Sequence, residues 1–360
     1  MPPENLSTAS PQAPAPKRKK SFLWILLILL LALLAAGYFL TKTKSPSEIS
    51  GLEVALKIAT FLDKTFQSDG RMLGGYTCSV SAAGGCVPFE LTPEQPHVGQ
   101  AIYSFFILAE ATGDQSYRVK ADRAINWVLD HCDADANVCE WNYFPLVKYY
   151  EETGEEKYLT RGMLPPSEKF LTMSTEDLVI GNVGHKLASL YKFTGDVRFK
   201  NRLVAVADAE LIKPIENPNR TFQVIWSIYL PAYKITNDAR YLQASETFFD
   251  HYDMAERTKL EKFEDSASII YLVKAADGLL GLANVVEDKQ TYRDKAHLVL
   301  QAVMNKLWDT PEHSIFNSDY GFVEDTVADD KNAKRTLFNG WLMKVFVLLA
   351  NDKFEAPKAI

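Results

Sequence analysis

One short motif recurs along the chain at a nearly constant interval, and this interval limits the folds that the chain can adopt. Each copy has Thr-Gly-Asp or a close variant, then two variable residues and an aromatic residue. The copies are Thr112-Gly113-Asp114-x-x-Tyr117, Thr153-Gly154-Glu155-x-x-Tyr158, Thr194-Gly195-Asp196-x-x-Phe199, Thr236-Asn237-Asp238-x-x-Tyr241, and a degenerate copy at Glu287-Asp288 with Tyr292. Their aromatic residues are 41, 41, 42 and 51 residues apart. Such a period is typical of helical repeat proteins.

The composition of the motif predicts its local structure. A Gly or Asn directly after a helix adopts the left-handed conformation that ends the helix. An acidic residue at the start of the next helix interacts favourably with the dipole of that helix. Each motif therefore predicts a tight turn between two antiparallel helices, with the aromatic residue beginning the apolar stripe of the second helix.

The helices on the two sides of each motif differ in hydrophobic pattern. Those before it are apolar on nearly all sides and those after it are amphipathic, which indicates buried inner helices and exposed outer helices. Inner helices are predicted to start near residues 98, 142, 176, 222, 268 and 337, and outer helices near 52, 115, 155, 197, 239 and 290. The first outer helix, Leu52–Phe66, and the last inner helix, Leu337–Ala350, are expected to pair and close a ring. Pro165-Pro166 interrupts one outer helix, and Pro231 is expected to end or kink its helix early.

The connections between the predicted helices fall into two classes. Turns from an inner to an outer helix are short, whereas connections from an outer to an inner helix are long. The long connections are residues 67–96, 132–141, 212–221, 253–266 and 309–335. All of them are expected at one end of the ring, and long loops in a compact repeat fold are commonly functional.

Over roughly residues 50–352 the chain resembles the α/α toroids of the six-hairpin glycosidase type. The resemblance rests on the hairpin turns, the alternation of inner and outer helices and the long loops at one end. Similar turns occur in N-acylglucosamine epimerases, in the helical domain of glucuronyl epimerases and in unsaturated glucuronyl hydrolases. It implies an all-α (α/α)6 toroid of about twelve antiparallel helices over residues 51–352, between a linker (41–50) and a tail (353–360). It assigns no active site, because no family's catalytic motif is matched residue by residue.

Two other repeat folds are alternatives to the toroid. Tetratricopeptide repeats have a period of about 34 residues and lack long loops at one end. HEAT-like solenoids have a suitable period, but they need no closing helix and their inner helices are not apolar on all sides. The pattern therefore favours the closed ring.

The N-terminal segment has the composition of a membrane anchor. Residues 1–16 are rich in Pro, Ser and Ala, and four basic residues at 17–20 precede an uncharged apolar run, Ser21–Leu40. A run of about 20 apolar residues can cross a bilayer as one helix. The basic residues before it predict a cytoplasmic tail (1–20) and place residues 45–360 outside the cytoplasm. A cleaved signal peptide is the alternative, but the run is long for one and the cleavage site near Ala35 is poor.

The four cysteines form two local pairs, Cys78/Cys86 and Cys132/Cys139. An even number of cysteines in an exported domain predicts disulfide bonds, each of which would close one loop. A four-thiolate zinc site is the alternative. Structural zinc sites usually have ligands separated by about two to four residues, and neither pair has this spacing.

Acidic residues at the long-loop end are candidate catalytic groups, since glycoside hydrolysis uses two carboxylates about 5–10 Å apart. Three Glu-Asp pairs are predicted there: Glu176-Asp177, Glu264-Asp265 and Glu324-Asp325. The first two precede or begin inner helices and are candidates for acid–base catalysis. Helix capping explains the same positions, because acids in a first turn satisfy free N–H groups and the helix dipole.

A proline-rich segment that leads into the first inner helix contains a second set of candidates. Its prolines favour an extended, rigid backbone. Glu90 and His97 are candidate catalytic residues and Glu94 is a candidate for substrate binding at the mouth of the cleft. The alternative is a solvated loop in which the histidine caps the helix.

Aromatic residues near the same end are candidates for stacking on sugar rings. Trp141 and Tyr143 begin the second inner helix next to Cys139, and Tyr320 belongs to the last long loop, where it is a candidate for covering the cleft. For Trp141 and Tyr143 the alternative is a place in the hydrophobic core, which is the commoner position of aromatic residues. The same core interpretation applies to Trp226 and Trp341.

Several classes of function are disfavoured by the sequence. The net charge of −7 lacks the basic excess expected of a nucleic-acid-binding protein. No phosphate-binding loop, no pair of histidines with metal-ligand spacing and no Gly-x-Ser-x-Gly motif occurs, so neither a cofactor nor a metal is predicted.

The sequence therefore favours a membrane-anchored, extracytoplasmic carbohydrate-active enzyme with a glycan as its partner. A glycoside hydrolase with paired carboxylates comes first, and an epimerase or lyase comes second. The alternative is a non-catalytic glycan- or protein-binding toroid tethered to the cell envelope. A third hypothesis is an open helical-repeat adaptor, whose ends do not meet.

Overall fold

Helices make up most of the chain that the computed structural model describes. The described residues are 48–78, 86–90, 98–214, 217–252, 270–309, 321–322 and 333–355. Within these ranges no helix is both long and apolar enough to cross a membrane. The predicted anchor, Ser21–Leu40, and the tail before it lie outside the described residues.

Long and short helices follow one another along the chain, with a few short strands between them. The helices are α1 (Gly51–Asp63), α2 (Gly99–Thr112), α3 (Gln115–Cys132), α4 (Ala136–Trp141), α5 (Tyr143–Thr153), α6 (Ser167–Thr172), α7 (Thr175–Ile180), α8 (Val183–Thr194), α9 (Val197–Leu211), α10 (Pro218–Val224), α11 (Leu230–Thr236), α12 (Ala239–His251), α13 (Ile270–Ala283), α14 (Lys289–Leu307) and α15 (Thr336–Leu348). Two π-helical segments, Tyr158–Met163 and Ile225–Tyr229, precede α6 and α11. The strands are β1 (Glu48–Ser50), β2 (Gly75–Cys78), β3 (Cys86–Phe89), β4 (Trp308–Asp309), β5 (Gly321–Phe322), β6 (Ala333–Arg335) and β7 (Lys353–Glu355).

The inner helices form a closed ring. In order around it, α2, α5, α8, the α10–α11 rod, α13 and α15 each pack against the next, and α15 packs against α2. The outer helix α1 packs on α15, as the sequence predicted, and the outer helix after Thr153 is interrupted at Pro165-Pro166, as also predicted. Strand β1 pairs with β7 in antiparallel register, Glu48 opposite Glu355. The two ends of the domain therefore meet, within the predicted linker and tail.

The four well-formed motif turns share one hydrogen-bond pattern. The threonine hydroxyl donates to the carbonyl four residues earlier and accepts the N–H of the acidic residue two positions later. The residue between them has a positive φ of 75°, 64°, 72° and 57° at Gly113, Gly154, Gly195 and Asn237. In the three copies that have Asp, the Asp side chain caps the helix that follows. The predicted turn structure is confirmed, and the repeated threonine is explained by its double hydrogen bond.

Of the two outcomes expected at Pro231, an early helix end does not occur, because the helix continues to Thr236. The π-helical segment lies directly before it, and the Leu230 N–H donates to the Ile225 carbonyl, five residues back. This wider turn accommodates the proline ring, which removes one donor from the helix. On the neighbouring inner helix, Gly184 lies against the Ser227 carbonyl so closely that a Cβ atom would collide with it. A glycine is therefore needed where these two helices cross.

Strands join the first and the last long connection. Strand β2 pairs with β3 on one side and with β6 on the other, so that Gly75 lies opposite both Phe89 and Arg335. These strands follow α1 and precede α2 and α15, which places them at the end of the ring where the inner helices begin. This is the long-loop end that the sequence predicted.

Candidate functional site

A cavity of about 270 Å³ lies inside the ring of inner helices. Residues of α2, α5, α8, the α10–α11 rod and α15 line it, so we call it the axial cavity. Its exposed lining residues, Glu151 and Lys234, lie near the ends of α5 and α11. The axial cavity thus meets solvent at the short-turn end. The sequence predicted a cleft at the opposite, long-loop end, where the loop 253–266 and most of the loop 309–335 lie outside the described residues.

Aromatic side chains from several inner helices meet near the axis. The Trp226 ring lies 4.8 Å from the ring of Trp341, 4.7 Å from that of His185 and 5.8 Å from that of Phe144, measured between centroids. Trp226 and Trp341 are both buried, in agreement with the core interpretation of the sequence. Trp226 also lines the axial cavity.

Asp277 on α13 is the carboxylate at the centre of the ring. Its Oδ2 atom accepts hydrogen bonds from Trp226 Nε1 (2.8 Å), Trp341 Nε1 (2.9 Å) and Lys344 Nζ (2.6 Å). The residue is only 5% exposed, and these three donors offset the cost of burying its charge. Its Oδ1 atom accepts no hydrogen bond from the residues that the structure describes. The Oδ2 atom is therefore fixed by three donors, whereas the Oδ1 atom has no donor in the described part of the chain.

Lys274 lies one helical turn before Asp277 and is 6% exposed. Among the described residues it has neither an ion pair nor a hydrogen bond. Its ammonium group lies 5.3 Å from the centroid of the Tyr271 ring and 5.8 Å from that of Trp341. Burial lowers the pKa of Lys274 to about 7, because desolvation disfavours the charged form. The sequence analysis did not single out this residue.

His185 on α8 faces the axial cavity as a neutral imidazole. Burial is the main cause that lowers its pKa to about 3, and the charges of Lys234 and Lys344 lower this pKa further. A hydrogen bond with the Trp226 backbone acts in the opposite direction. The buried Nε2 atom of His185 and the buried Oε1 atom of Gln100 have no hydrogen-bond partner among the described residues. Such groups are uncommon in folded proteins.

Glu176 and Asp177 lie at the start of α7 and do not line the axial cavity. Glu176 is exposed and forms an ion pair with Arg220 (2.7 Å). Asp177 accepts a hydrogen bond from the hydroxyl of Ser174, the N-cap residue of α7, which in turn accepts the Asp177 N–H. Ser174 therefore caps α7, and the Asp177 side chain holds the capping hydroxyl in place, which is a structural role.

The other predicted site residues are spread over the molecule. Glu90 is exposed and pairs with Arg71 (3.0 Å). Tyr143 is buried, lines the axial cavity and donates to the Lys186 carbonyl (3.2 Å), whereas Trp141 is half-buried, with the Lys186 ammonium 5.6 Å from its ring. The remaining candidates, Glu94, His97, Glu264, Asp265 and Tyr320, lie outside the described residues.

One predicted disulfide bond is confirmed. Cys132 and Cys139 are bonded, with their Cα atoms 5.3 Å apart, and the bond links the end of α3 to α4. Strand register places Cys78 directly opposite Cys86, which suits the second predicted bond. Within the described part of the chain, no group of three or more His, Cys, Asp and Glu side chains could hold a metal ion.

A larger groove of about 640 Å³ lies outside the ring, between α9 and α12. Its buried carboxylate, Glu210, is held by Lys213 (2.7 Å) and by Arg220, and the Nδ1 atom of His251 is within 2.8 Å of the Thr247 carbonyl. These polar groups are thus already paired. The axial cavity, with buried atoms that have no partner among the described residues, is the better candidate site.

Comparison with solved structures identifies the architecture. An unsaturated glucuronyl hydrolase specific for heparin aligns with a TM-score of 0.61 and 12% identity over 83% of this chain and 96% of its own. The enzyme from Bacillus sp. GL1 aligns with a TM-score of 0.61 and 12% identity, covering 86% and 99%. The enzyme from Streptococcus agalactiae aligns with a TM-score of 0.57 and 12% identity, covering 83% and 90%.

The fold is the (α/α)6 toroid of the six-hairpin glycosidases. The resemblance drawn from the motif turns is thereby confirmed at the level of the fold. No family model and no curated protein sequence matches the chain. At 12% identity the likeness establishes the architecture, and any function for this toroid has to be argued from its own residues.

Proposed function

We propose that this protein is a membrane-anchored, extracytoplasmic carbohydrate-active enzyme of the glycoside hydrolase kind, with its active site on the axis of the toroid. The observation that carries the proposal is Asp277, a buried carboxylate whose Oδ2 atom is fixed by three donors and whose Oδ1 atom has no donor among the described residues. Trp226, which holds it, provides an aromatic surface to the adjoining axial cavity. Among proteins with this fold, a Streptococcus agalactiae unsaturated glucuronyl hydrolase variant is complexed with dGlcA-GalNAc6S. That complex supports a glycan as the ligand of this toroid.

Hydrolysis of a glycosidic bond uses two carboxyl groups, one of which protonates the leaving oxygen. Asp277 forms an ion pair with Lys344 (2.6 Å), and this arrangement suits the role of nucleophile or base. We propose that the second carboxyl group is Glu264 or Asp265, which precede α13, the helix that carries Asp277. Glu176 and Asp177 have structural partners and are weaker candidates for this role.

The test is hydrolysis of a panel of oligosaccharides by the full chain and by its Asp277→Asn variant. The panel includes oligosaccharides with an unsaturated glucuronyl end. We expect at least about a thousandfold loss of activity, as is typical when an essential group is removed. Asp250→Asn is the matched control, because Asp250 forms an ion pair with Lys295 on the outer surface. Asp277→Glu keeps the charge and serves if the amide variant does not fold. Full activity in a folded Asp277→Asn variant would refute the proposal.

A non-catalytic, glycan-binding toroid is the second candidate. Among the described residues that line the axial cavity, Glu151 is the sole carboxylate, and it pairs with Lys192 (2.8 Å). A binding protein needs aromatic and polar groups in its cavity and no pair of carboxylates. Saturable binding of an oligosaccharide that the full chain leaves intact would favour this function over hydrolysis.

We also propose the location of the toroid. The basic residues 17–20 and the apolar run Ser21–Leu40 support an uncleaved anchor with a cytoplasmic N-terminus. The Cys132–Cys139 disulfide bond agrees with an oxidising compartment. Protease treatment of intact cells should digest the toroid, and digestion only after cell lysis would contradict this location.

A further inference from the structure

The repeat register places four charged residues at equivalent positions, two residues before the motif threonines. They are Glu110, Glu151, Lys192 and Lys234, in the last turns of α2, α5, α8 and α11. Glu110 forms an ion pair with Lys148 (3.1 Å), and Glu151 forms one with Lys192 (2.8 Å). Lys234 has no carboxylate within ion-pair distance in the described part of the chain. Among these four residues, Lys234 is therefore the one whose charge is not balanced by a described ion-pair partner.

Lys234 is exposed and lies at the solvent end of the axial cavity, which it lines. Desolvation, and then the charge of Lys344, lower its pKa. Because its ammonium group has no carboxylate partner among the described residues, an anion that enters the cavity can bind it. Groups with perturbed pKa values cluster at binding sites.

Two hydrogen-bond acceptors face the same cavity without partners among the described residues. They are Nε2 of His185 and Oε1 of Gln100, and both atoms are buried. Leaving a buried acceptor unsatisfied costs free energy, which a ligand with hydroxyl donors would restore. The cavity volume of about 270 Å³ lies just below the range of about 300–1,000 Å³ for small-molecule sites, so it suits one small ligand.

We propose that the axial cavity binds a small hydroxylated anion. Its oxyanion group lies between the ammonium groups of Lys234 and Lys344, and its hydroxyl groups donate to Gln100 and His185. A sugar acid, either free or at the end of a glycan, has this chemistry. The ligand enters this site from the short-turn end. Its binding does not require the hydrolysis proposed above.

Calorimetric titrations of the full chain in non-ionic detergent with three probes distinguish the contribution of the ligand's charge from that of its hydroxyl groups. Sulfate supplies the charge alone, glucose supplies the hydroxyl groups alone, and glucuronate supplies both. We expect glucuronate to bind at least tenfold more tightly than either of the others. If glucuronate binds no better than glucose, the inference is wrong. A glucuronate-terminated disaccharide identifies the source: equal affinity indicates a glycan end, and loss of affinity indicates a free acid.

Lys234→Met should weaken glucuronate binding at least tenfold. Lys192→Met is the matched control, since it removes a lysine from the equivalent position one repeat earlier, where Glu151 is its partner. Thermal unfolding of both variants verifies that they fold. Equal losses of affinity in the two variants would overturn the inference. Retained glucuronate binding in an inactive Asp277→Asn variant would separate this site from the proposed hydrolysis.

Discussion

Two acidic regions of this toroid show how the surroundings of a carboxylate determine its role. At the start of α7, Glu176 and Asp177 are exposed, and their partners are a guanidinium group and a capping hydroxyl. At the centre of the ring, Asp277 is 5% exposed and is held by donors from two neighbouring inner rods. Water and neighbouring side chains supply the hydrogen bonds of the first region. The hydrogen bonds of the second region form only when the ring is closed.

Functional chemistry in this molecule is therefore expected near the axis. Charges at the rim interact weakly, because water screens them. Charges near the axis interact strongly, and the protein tolerates lysines there whose pKa values are lowered. Four substitutions test this contrast, in order of decreasing effect.

Removing the central carboxylate should have the largest effect. Asp277→Asn leaves the Lys344 ammonium group without its ion-pair partner, and breaking a buried pair in this way costs about 3–5 kcal/mol of unfolding free energy. Denaturant unfolding of the variant measures this loss. The double variant Asp277→Asn/Lys344→Met should recover part of it. A loss below about 1 kcal/mol, as expected of an exposed pair, would remove the contrast between centre and rim.

Replacing the unpaired lysine on α13 should stabilise the protein. Lys274 has a pKa of about 7 in the folded state and an ordinary, higher pKa when unfolded. Its burial therefore costs most below pH 7, and the cost disappears as the pH rises past the unfolded pKa of about 10.4. Lys274→Met should raise the unfolding free energy by up to about 4 kcal/mol at pH 6 and change it little at pH 11.

The control for this prediction is Lys289→Met, at the exposed start of α14. It should leave the unfolding free energy nearly unchanged at both pH values. Denaturant titrations of both variants at pH 6 and pH 11 give the comparison. Destabilisation by Lys274→Met at pH 6 would show that this amine has a compensating role that its surroundings do not reveal.

The capping carboxylate at the rim should have a moderate effect on stability alone. Asp177→Ala removes the acceptor of the Ser174 hydroxyl but keeps the backbone N–H that Ser174 caps, so the loss should be about 1 kcal/mol, as for one hydrogen bond. Activity at a temperature well below unfolding should stay unchanged. Loss of activity in a folded Asp177→Ala variant would indicate that the catalytic site lies at the long-loop rim and not on the axis.

The exposed acid at the rim should have the smallest effect. Glu176→Gln removes an ion pair with Arg220 in which the Glu176 side chain is 53% exposed. Pairs of this kind contribute about 0–1 kcal/mol, and Arg220 keeps Glu210 as a partner. Activity should equal that of the unchanged chain. A variant with normal stability but no activity would make Glu176 a catalytic residue and would contradict the axial proposal.

The local structure of this protein is determined by its sequence. The motif threonines, the left-handed Gly and Asn residues and the capping aspartates act within a few residues of one another, so their spacing alone predicted the hairpin turns. The contrast between inner and outer helices is likewise a property of hydrophobic pattern. For the same reason the Cys132–Cys139 bond, which closes a short loop, could be predicted.

The contacts between charged residues, by contrast, depend on how the helices pack. In the sequence, Asp277 and Lys274 are isolated charges inside an apolar stretch, and Trp226 and Trp341 are 115 positions apart. Closing the ring brings these residues together, because six inner helices direct one face each to a common axis. The sequence did offer one signal for these residues, namely a charge in a helix that is otherwise apolar on all sides. Such a charge is buried, and a buried charge requires partners. The identity of those partners depends on the order of helices around the ring, which no local pattern contains.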